Sequence, residues 1–185
     1  MNQIILISGP PGAGKTAVAG ALCERFDRML LIEVDDLRHL VRAGFRHADA
    51  GDHQAREQLE LGARNAAAIA RQSAAVRYSS VIADIVTAEA VDWYRDAFEG
   101  TPTQVDLVTL FPDLDTTEAR DISRDAAMGE RVRVLHDQLA SEIEADAIPG
   151  SVLDSSTHAN ARETADVVQD AISRGHALFI APTEA

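Results

Sequence analysis

The sequence predicts an α/β fold, a three-layer α/β/α arrangement on a parallel sheet, and three observations lead there. Five short apolar runs, at 4–8, 29–34, 80–86, 105–111 and 151–154, are mostly β-branched or leucine and are bounded by Gly, Pro, Asp or Thr. They lack polar alternation, which suits strands buried on both faces. Helix-like stretches separate them, and strands alternating with helices imply βαβ units. The 185 residues, 46% hydrophobic, suit one domain over 1–185 with a sizeable core and room for a small lid around 115–135.

Taken in order, the first run leads through a glycine-rich turn into a helix over 15–26. The second ends in Val34-Asp35-Asp36-Leu37 and precedes a short helix over 37–42, which either aspartate could cap. A long alanine-rich stretch, 52–76, has Leu59, Ala66 and Ile69 at near-helical spacing. After the third run, Thr87 is the expected N-cap of a helix over 88–98. After the fourth, Thr116 or Thr117 caps a helix to about residue 127. The fifth leads to Asn160 and Glu163, a capping-box pattern ahead of Val167, Val168 and Ile172. A last apolar run, 177–181, reads as an edge strand or a packing segment.

Composition bounds the function. Thirty acidic residues against 17 basic ones give a net charge of −13, which repels nucleic-acid backbones and anionic lipid and disfavours both as partners. Cys23 is the single cysteine, so no intrachain disulfide or cysteine-rich metal site can form. The six histidines show no metal-ligand spacing. The N-terminus lacks signal-peptide character and no 18-residue apolar run follows, so the expected location is cytoplasmic.

Residues 9–16 read GPPGAGKT and fit G-x-x-x-x-G-K-[ST] in full, directly after a strand and opening a helix. In such a loop Gly9, Pro10, Pro11, Gly12, Ala13 and Gly14 surround a phosphate, the glycines at 9, 12 and 14 letting the loop wrap so that backbone N–H groups converge on it, and the helix N-terminus adds its dipole. Lys15, the only lysine in the chain, reaches the β- and γ-phosphates, and the Thr16 hydroxyl binds Mg²⁺. ATP and Mg²⁺ are therefore the expected cofactors.

In open parallel sheets ligands bind beyond the carboxyl ends of the strands. Asp84, at the end of the third run, suits a metal-holding role, with a turn or N-cap role as the alternative. Asp35 or Asp36 could take the proton of an attacking hydroxyl, and Asp35 is preferred. Arg120 and Arg124, four apart, share a helix face and could close over a transferred phosphoryl group, while Arg120 could also stack on adenine. The competing reading is a solvated face on which Asp121 and Asp125 pair with them. Arg131 and Arg133 follow, and Gly129 could act as a hinge. Trp93 and Tyr94 are expected to pack within a helix, and Cys23 to be a small buried hydrophobe.

From GPPGAGKT through VDDL at 34–37 and VIADIV at 81–86 to VLDSSTHANARE at 152–163, the layout resembles the P-loop small-molecule kinases of the nucleoside-monophosphate-kinase type. Within these it is similar to the chloramphenicol phosphotransferase-like group, and it is identified as an AAA-type ATP-binding protein. The resemblance implies a P-loop NTPase fold with a five-stranded sheet of order 2-3-1-4-5. It also implies an acceptor held between the second strand and the long helices after it, Asp35 as catalytic base, and residues 155–158 near the adenine. GKTA rather than GKGT makes a nucleotide acceptor less fitting, and the glycine triplet of shikimate kinases is missing. VDDLRHL is also similar to the D-D-x-x-R segment of polynucleotide 5′-hydroxyl kinases, which would place Arg38 near the acceptor; the charge of −13 argues against that substrate.

The sequence thus leads to a phosphotransferase with Asp35, Lys15, Arg120 and Arg124 as catalytic residues, Thr16 and Asp84 as metal residues, and a hydroxylated small molecule as acceptor. The alternatives are a polynucleotide 5′-hydroxyl kinase and an ATP-dependent switch acting on a protein partner. Oligomeric state is not legible.

Overall fold

The structure is a computed structural model that describes residues 2–122 and 129–183. Its elements are β1 (Gln3–Ser8), α1 (Lys15–Cys23), β2 (Met29–Glu33), α2 (Val34–Arg38), a 3₁₀ turn at Ala48–Ala50, α3 (His53–Ala75), β3 (Ser79–Ala83) and α4 (Ala88–Ala97). They continue with β4 (Gln104–Leu110), α5 (Leu114–Ile122), α6 (Glu130–Glu144), β5 (Ser151–Leu153), α7 (Ala161–Ser173) and β6 (Leu178–Ile180).

The sheet order is β2-β3-β1-β4-β5, all parallel, with β6 added antiparallel to β4. β1 is central, with Ile4, Ile5, Leu6 and Ile7 all fully buried. Its alternate residues serve two cores, as a pleated strand between two layers requires. Ile4 and Leu6 share a core with Ala66 and Ala70 of α3, Tyr94 of α4 and its C-cap residue Phe98. Ile5 and Ile7 pack with α1 and α7 through Val18, Leu22, Ala165 and Val168. The small side chains along α3, among them Ala63, Ala66, Ala67 and Ala70, let this 23-residue helix lie close on the sheet.

Caps mark several starts. Asp52, Thr87 and Asn160 accept hydrogen bonds from backbone N–H groups in the first turns of α3, α4 and α7. Two expected boundaries are corrected. The helix after β2 runs over Val34–Arg38 rather than 37–42; its N-cap is Glu33, whose side chain makes no capping bond, so neither Asp35 nor Asp36 caps it. α5 begins at Leu114, two to three residues before the expected threonine caps, because Asp113 Oδ1 accepts the Thr116 N–H at 2.7 Å. Thr117 instead lies inside the helix and donates its hydroxyl back to the Asp113 carbonyl at 2.8 Å.

The run 177–181 forms an edge strand, β6. α6 was not read from the sequence. Its surface mixes Arg131, Arg133, Asp137 and Glu142 with Val132 and Leu139, which alone are fully turned inward, so its apolar stripe is narrow.

Candidate active site

The GPPGAGKT loop joins β1 to α1 and is wedged between the end of β4 and α5. A Cβ at Gly9 would lie 2.2 Å from the Leu110 carbonyl oxygen, and one at Gly12 would lie 2.3 Å from that of Thr117. Both glycines also have φ in the range that L side chains rarely adopt, 138° and 86°. The loop is thus pressed onto its surroundings, and α1 opens from Gly14 without a side-chain cap, which leaves its N-terminal dipole facing the cavity side. Lys15 folds across the loop, its Nζ donating to the carbonyl oxygens of Gly9 at 2.8 Å and Pro10 at 3.0 Å.

Beside the loop lies a cavity of about 420 Å³. The strand ends and helices supply its walls: Lys15 and Thr16 from α1, Glu33 from β2, Asp35 and Arg38 from α2, Asp84 after β3, Leu59 from α3, Trp93 from α4, and Arg131, Leu135 and Gln138 from α6. The fold therefore brings Lys15, Thr16, Asp35 and Asp84 together, as the sequence predicts. Asp35 lines the cavity and Asp36 does not. Their order along the first turn of α2 decides this, since adjacent helical residues do not share a face.

Asp84 follows β3 directly, and its N–H continues the sheet by donating to the Ile7 carbonyl at 3.2 Å. Its carboxylate accepts the Ile85 N–H at 2.8 Å and the Tyr94 hydroxyl at 2.8 Å. Burial pushes the Asp84 carboxyl up to about 6; the Tyr94 and Ile85 bonds pull against that rise, the charge of Asp35 adds to it and Lys15 opposes it. The Thr16 hydroxyl donates to Glu33 Oε2 at 3.0 Å. Glu33 was missed by the sequence reading, although its place at the carboxyl end of β2 was the available signal.

Among the described residues no group of three or more His, Cys, Asp or Glu could by itself enclose a metal ion. Mg²⁺ does not need one: it is held by one or two carboxylates together with substrate phosphates and water. The oxygen-only set of Thr16, Glu33 and Asp84 around one cavity fits that hard cation.

Two other expectations fare differently. Arg120 is placed away from the cavity wall, its Nη2 donating to the Ser155 carbonyl at 3.2 Å, so it joins α5 to the loop after β5. Arg124 lies outside the described residues, as does the middle of the expected lid. Arg131, which follows the arginine pair in sequence, stands in the cavity wall. So does Trp93, which was expected only to pack. His136 stacks on Phe111 with ring centroids 4.4 Å apart, and its Nε2 is 3.0 Å from the Pro112 carbonyl.

The profile of the AAA domain family matches residues 4–149, and the chain belongs to that family. The search of curated proteins by sequence gave no match. Among solved structures, the chain is similar to the tunicamycin resistance protein of Deinococcus radiodurans, with 21% identity, a TM-score of 0.69 and coverage of 99% of this chain and 100% of that one. It is also similar to a sugar kinase from Janibacter, at 16% identity and a TM-score of 0.66 over 94% of this chain and 95% of that one. Shikimate kinase from Acinetobacter baumannii in complex with shikimate gives 18% identity and a TM-score of 0.62, with 95% of each chain covered. The likeness at these identities is one of fold, and it is the P-loop kinase fold with sheet order 2-3-1-4-5. Among the described residues no helix is long and apolar enough to cross a membrane.

Proposed function

We propose that this protein is an ATP-dependent phosphotransferase that moves the γ-phosphoryl group of ATP to a hydroxyl of a small molecule. The carrying observation is that one cavity is walled both by the phosphate loop residues Lys15 and Thr16 and by the carboxylate of Asp35. A module that only bound nucleotide would have no use for a carboxylate on the far wall of that cavity, at the start of α2. The kinases among the similar structures support the same reading.

In the proposed reaction the acceptor oxygen attacks the γ-phosphorus, the bond to the β–γ bridging oxygen breaks, and ADP carries away that electron pair. The acceptor proton passes to the Asp35 carboxylate, which is 76% exposed at its side chain and faces the cavity. Lys15 turns from the Gly9 and Pro10 carbonyls to the β- and γ-phosphates, and the loop N–H groups hold the β-phosphate. Thr16, Glu33 and Asp84 are the residues that would hold Mg²⁺, which when bound neutralises charge on the phosphate oxygens. Arg120 and Arg124 are assigned to closing over the transferred group from the nucleotide side, and Arg120 meets the loop after β5. A hydroxylated small molecule is the acceptor, and a cytoplasmic location is consistent with ATP as donor.

The test is ADP formation by the purified protein with Mg²⁺ against hydroxylated small molecules and a 5′-hydroxyl oligonucleotide. Acceleration by a small acceptor is the expected result. Acceleration by the oligonucleotide alone would replace the acceptor class, and tight ATP binding with no acceleration by any compound would overturn the phosphotransfer reading.

A further inference from the structure

Helix α6 turns Arg131, Leu135 and Gln138 to the cavity, a stripe at helical spacing. Arg131 already meets Asp49 at 4.0 Å and Leu135 is apolar, so Gln138 is the member of the stripe that can accept a hydrogen bond. Its Nε2 donates at 2.9 Å to Oε1 of Glu142, one turn along the helix. The other oxygen of that carboxylate, Oε2, accepts the Ala88 N–H at 2.9 Å.

Ala88 opens α4, and Thr87 takes the N–H of Ala90 at 3.3 Å. Glu142 is thus a second cap of α4, supplied by another helix, at an end where negative charge is well placed. Fully buried Leu139 and core-packed Ile143 fix α6 on either side of the same turn.

This arrangement decides which end of the Gln138 amide a ligand meets. The two ends of an amide look alike in shape, and only the hydrogen-bond network assigns them. An ionised carboxylate accepts and cannot donate. With Glu142 tied to α4, Gln138 has to give it the NH₂ group, and the amide oxygen is the end left for the cavity. A solvated pair at this spacing would leave the amide free to turn either way; the bond to Ala88 and the place in the cavity wall set this one apart.

From the first turn of α4, Glu89 brings a second acceptor to the same wall, held by Arg56 of α3. Trp93, one turn further along α4, and Leu135 supply apolar surface. A ligand that lays its carbon skeleton there has to answer the acceptors with O–H or N–H groups, because an ether oxygen would set lone pair against lone pair and leave both unpaired.

We infer that Gln138 Oε1, oriented by Glu142, is a specificity-determining hydrogen-bond acceptor. The molecule whose hydroxyl is phosphorylated carries a second donor, so its class is the polyols and amino alcohols. The phosphorylated hydroxyl rests on the phosphotransfer reading; the preference of the cavity for a donor does not.

Trp93 is the only tryptophan and stands in the same wall, so its fluorescence reports binding without turnover. The probes are the isomeric cyclohexanediols, the matching aminocyclohexanols, and the monomethyl ethers of the diols. In the wild-type protein at least one diol or amino alcohol should perturb Trp93 at about a tenth of the concentration its ether needs, or less. Gln138→Met keeps a side chain of similar length without the oxygen and should bring diol and ether together. Glu142→Gln can still accept the Ala88 N–H but can also donate to Gln138, so it should melt close to wild type while the preference shrinks to about threefold or less. A purely structural role of either residue would move diol and ether in parallel. Equal binding of diols, amino alcohols and ethers, no effect of any probe on Trp93, or a preference that survives Gln138→Met would each overturn the subsite, and a preference unchanged in Glu142→Gln would overturn its orientation by Glu142. ADP formation accelerated equally by diols and ethers would overturn the subsite and leave phosphotransfer standing. A donor preference in fluorescence with no probe accelerating ADP formation would overturn the phosphotransfer reading and leave the subsite standing.

Discussion

The Tyr94 hydroxyl donates a 2.8 Å hydrogen bond to Asp84 Oδ2, tying a fully buried side chain of α4 to the carboxylate at the end of β3. The tyrosine is itself pushed well above its ordinary value, first by burial and then by the Asp84 charge, so it stays a donor across the working pH range. Its bond partly compensates a carboxylate that burial would otherwise keep neutral.

That relationship predicts a pH dependence of stability. Asp84 has a folded value of about 6 against 3.8 for the free group. Between those values the folded state holds more protons than the unfolded one, so stability falls as pH rises through the window and is level above it. Asp84→Asn removes the titration. In the presence of a chelator, the Tm of this variant minus that of the wild type should increase by several degrees from pH 4 to pH 7. Tyr94→Phe deletes a bond that lowers the Asp84 value, so its window should extend above pH 6. A Tm difference for Asp84→Asn that is constant over this range would sink the account.

Asp35→Asn tests the proposed base. It keeps the shape of the side chain and removes the proton acceptor, so kcat should fall by about 10²–10⁴ while ATP binding stays near wild type. Asp36→Asn, one residue along and outside the cavity wall, should be close to wild type. Parallel losses in kcat and ATP affinity at Asp35 would point to a metal or phosphate-positioning role.

Much of this site was legible because its parts are local. A strand, the GPPGAGKT turn and the helix opening at Lys15 are contiguous, and the strand-end aspartates 35 and 84 follow from knowing where parallel sheets bind ligands. What escaped depended on distant contacts. The narrow apolar stripe of α6 hid the helix that delivers Arg131 to the cavity. Trp93 looked like a packing residue until α4 was set opposite α2 and α3. Glu33 shows in sequence only as a strand-end carboxylate, its pairing with Thr16, 17 residues earlier, being silent, and Gly62 is silent because its neighbour is Arg38 on another helix. The start of α5 was misjudged because Asp113 outcompeted the threonines as a cap, as a carboxylate commonly does at a helix N-terminus.

Lys15→Ala should lower ADP formation by about 10²–10³ in the presence of acceptor, the loss typical of removing one preorganised donor to developing charge. The fold should persist, since Lys15 is only partly buried and lies outside both core clusters. Circular dichroism with steady-state kinetics distinguishes the cases: normal turnover in this variant would remove the phosphate-loop mechanism.

Two glycines of the same segment should respond in opposite directions to the same substitution. At Gly12 an added Cβ meets the Thr117 carbonyl oxygen at 2.3 Å, and the φ of 86° is strained for any L side chain. That neighbour is backbone and cannot swing aside, so Gly12→Ala must displace the loop from α5 and weaken both nucleotide binding and stability. At Gly20, inside α1, a Cβ meets nothing within 4 Å and the backbone is helical. Gly20→Ala should therefore raise stability by about 0.5–1 kcal/mol through helix propensity and a less flexible unfolded chain, with ATP binding unchanged. Thermal melts with and without ATP check both. A stabilised Gly12→Ala protein that still binds nucleotide would show that α5 does not press on the loop as described.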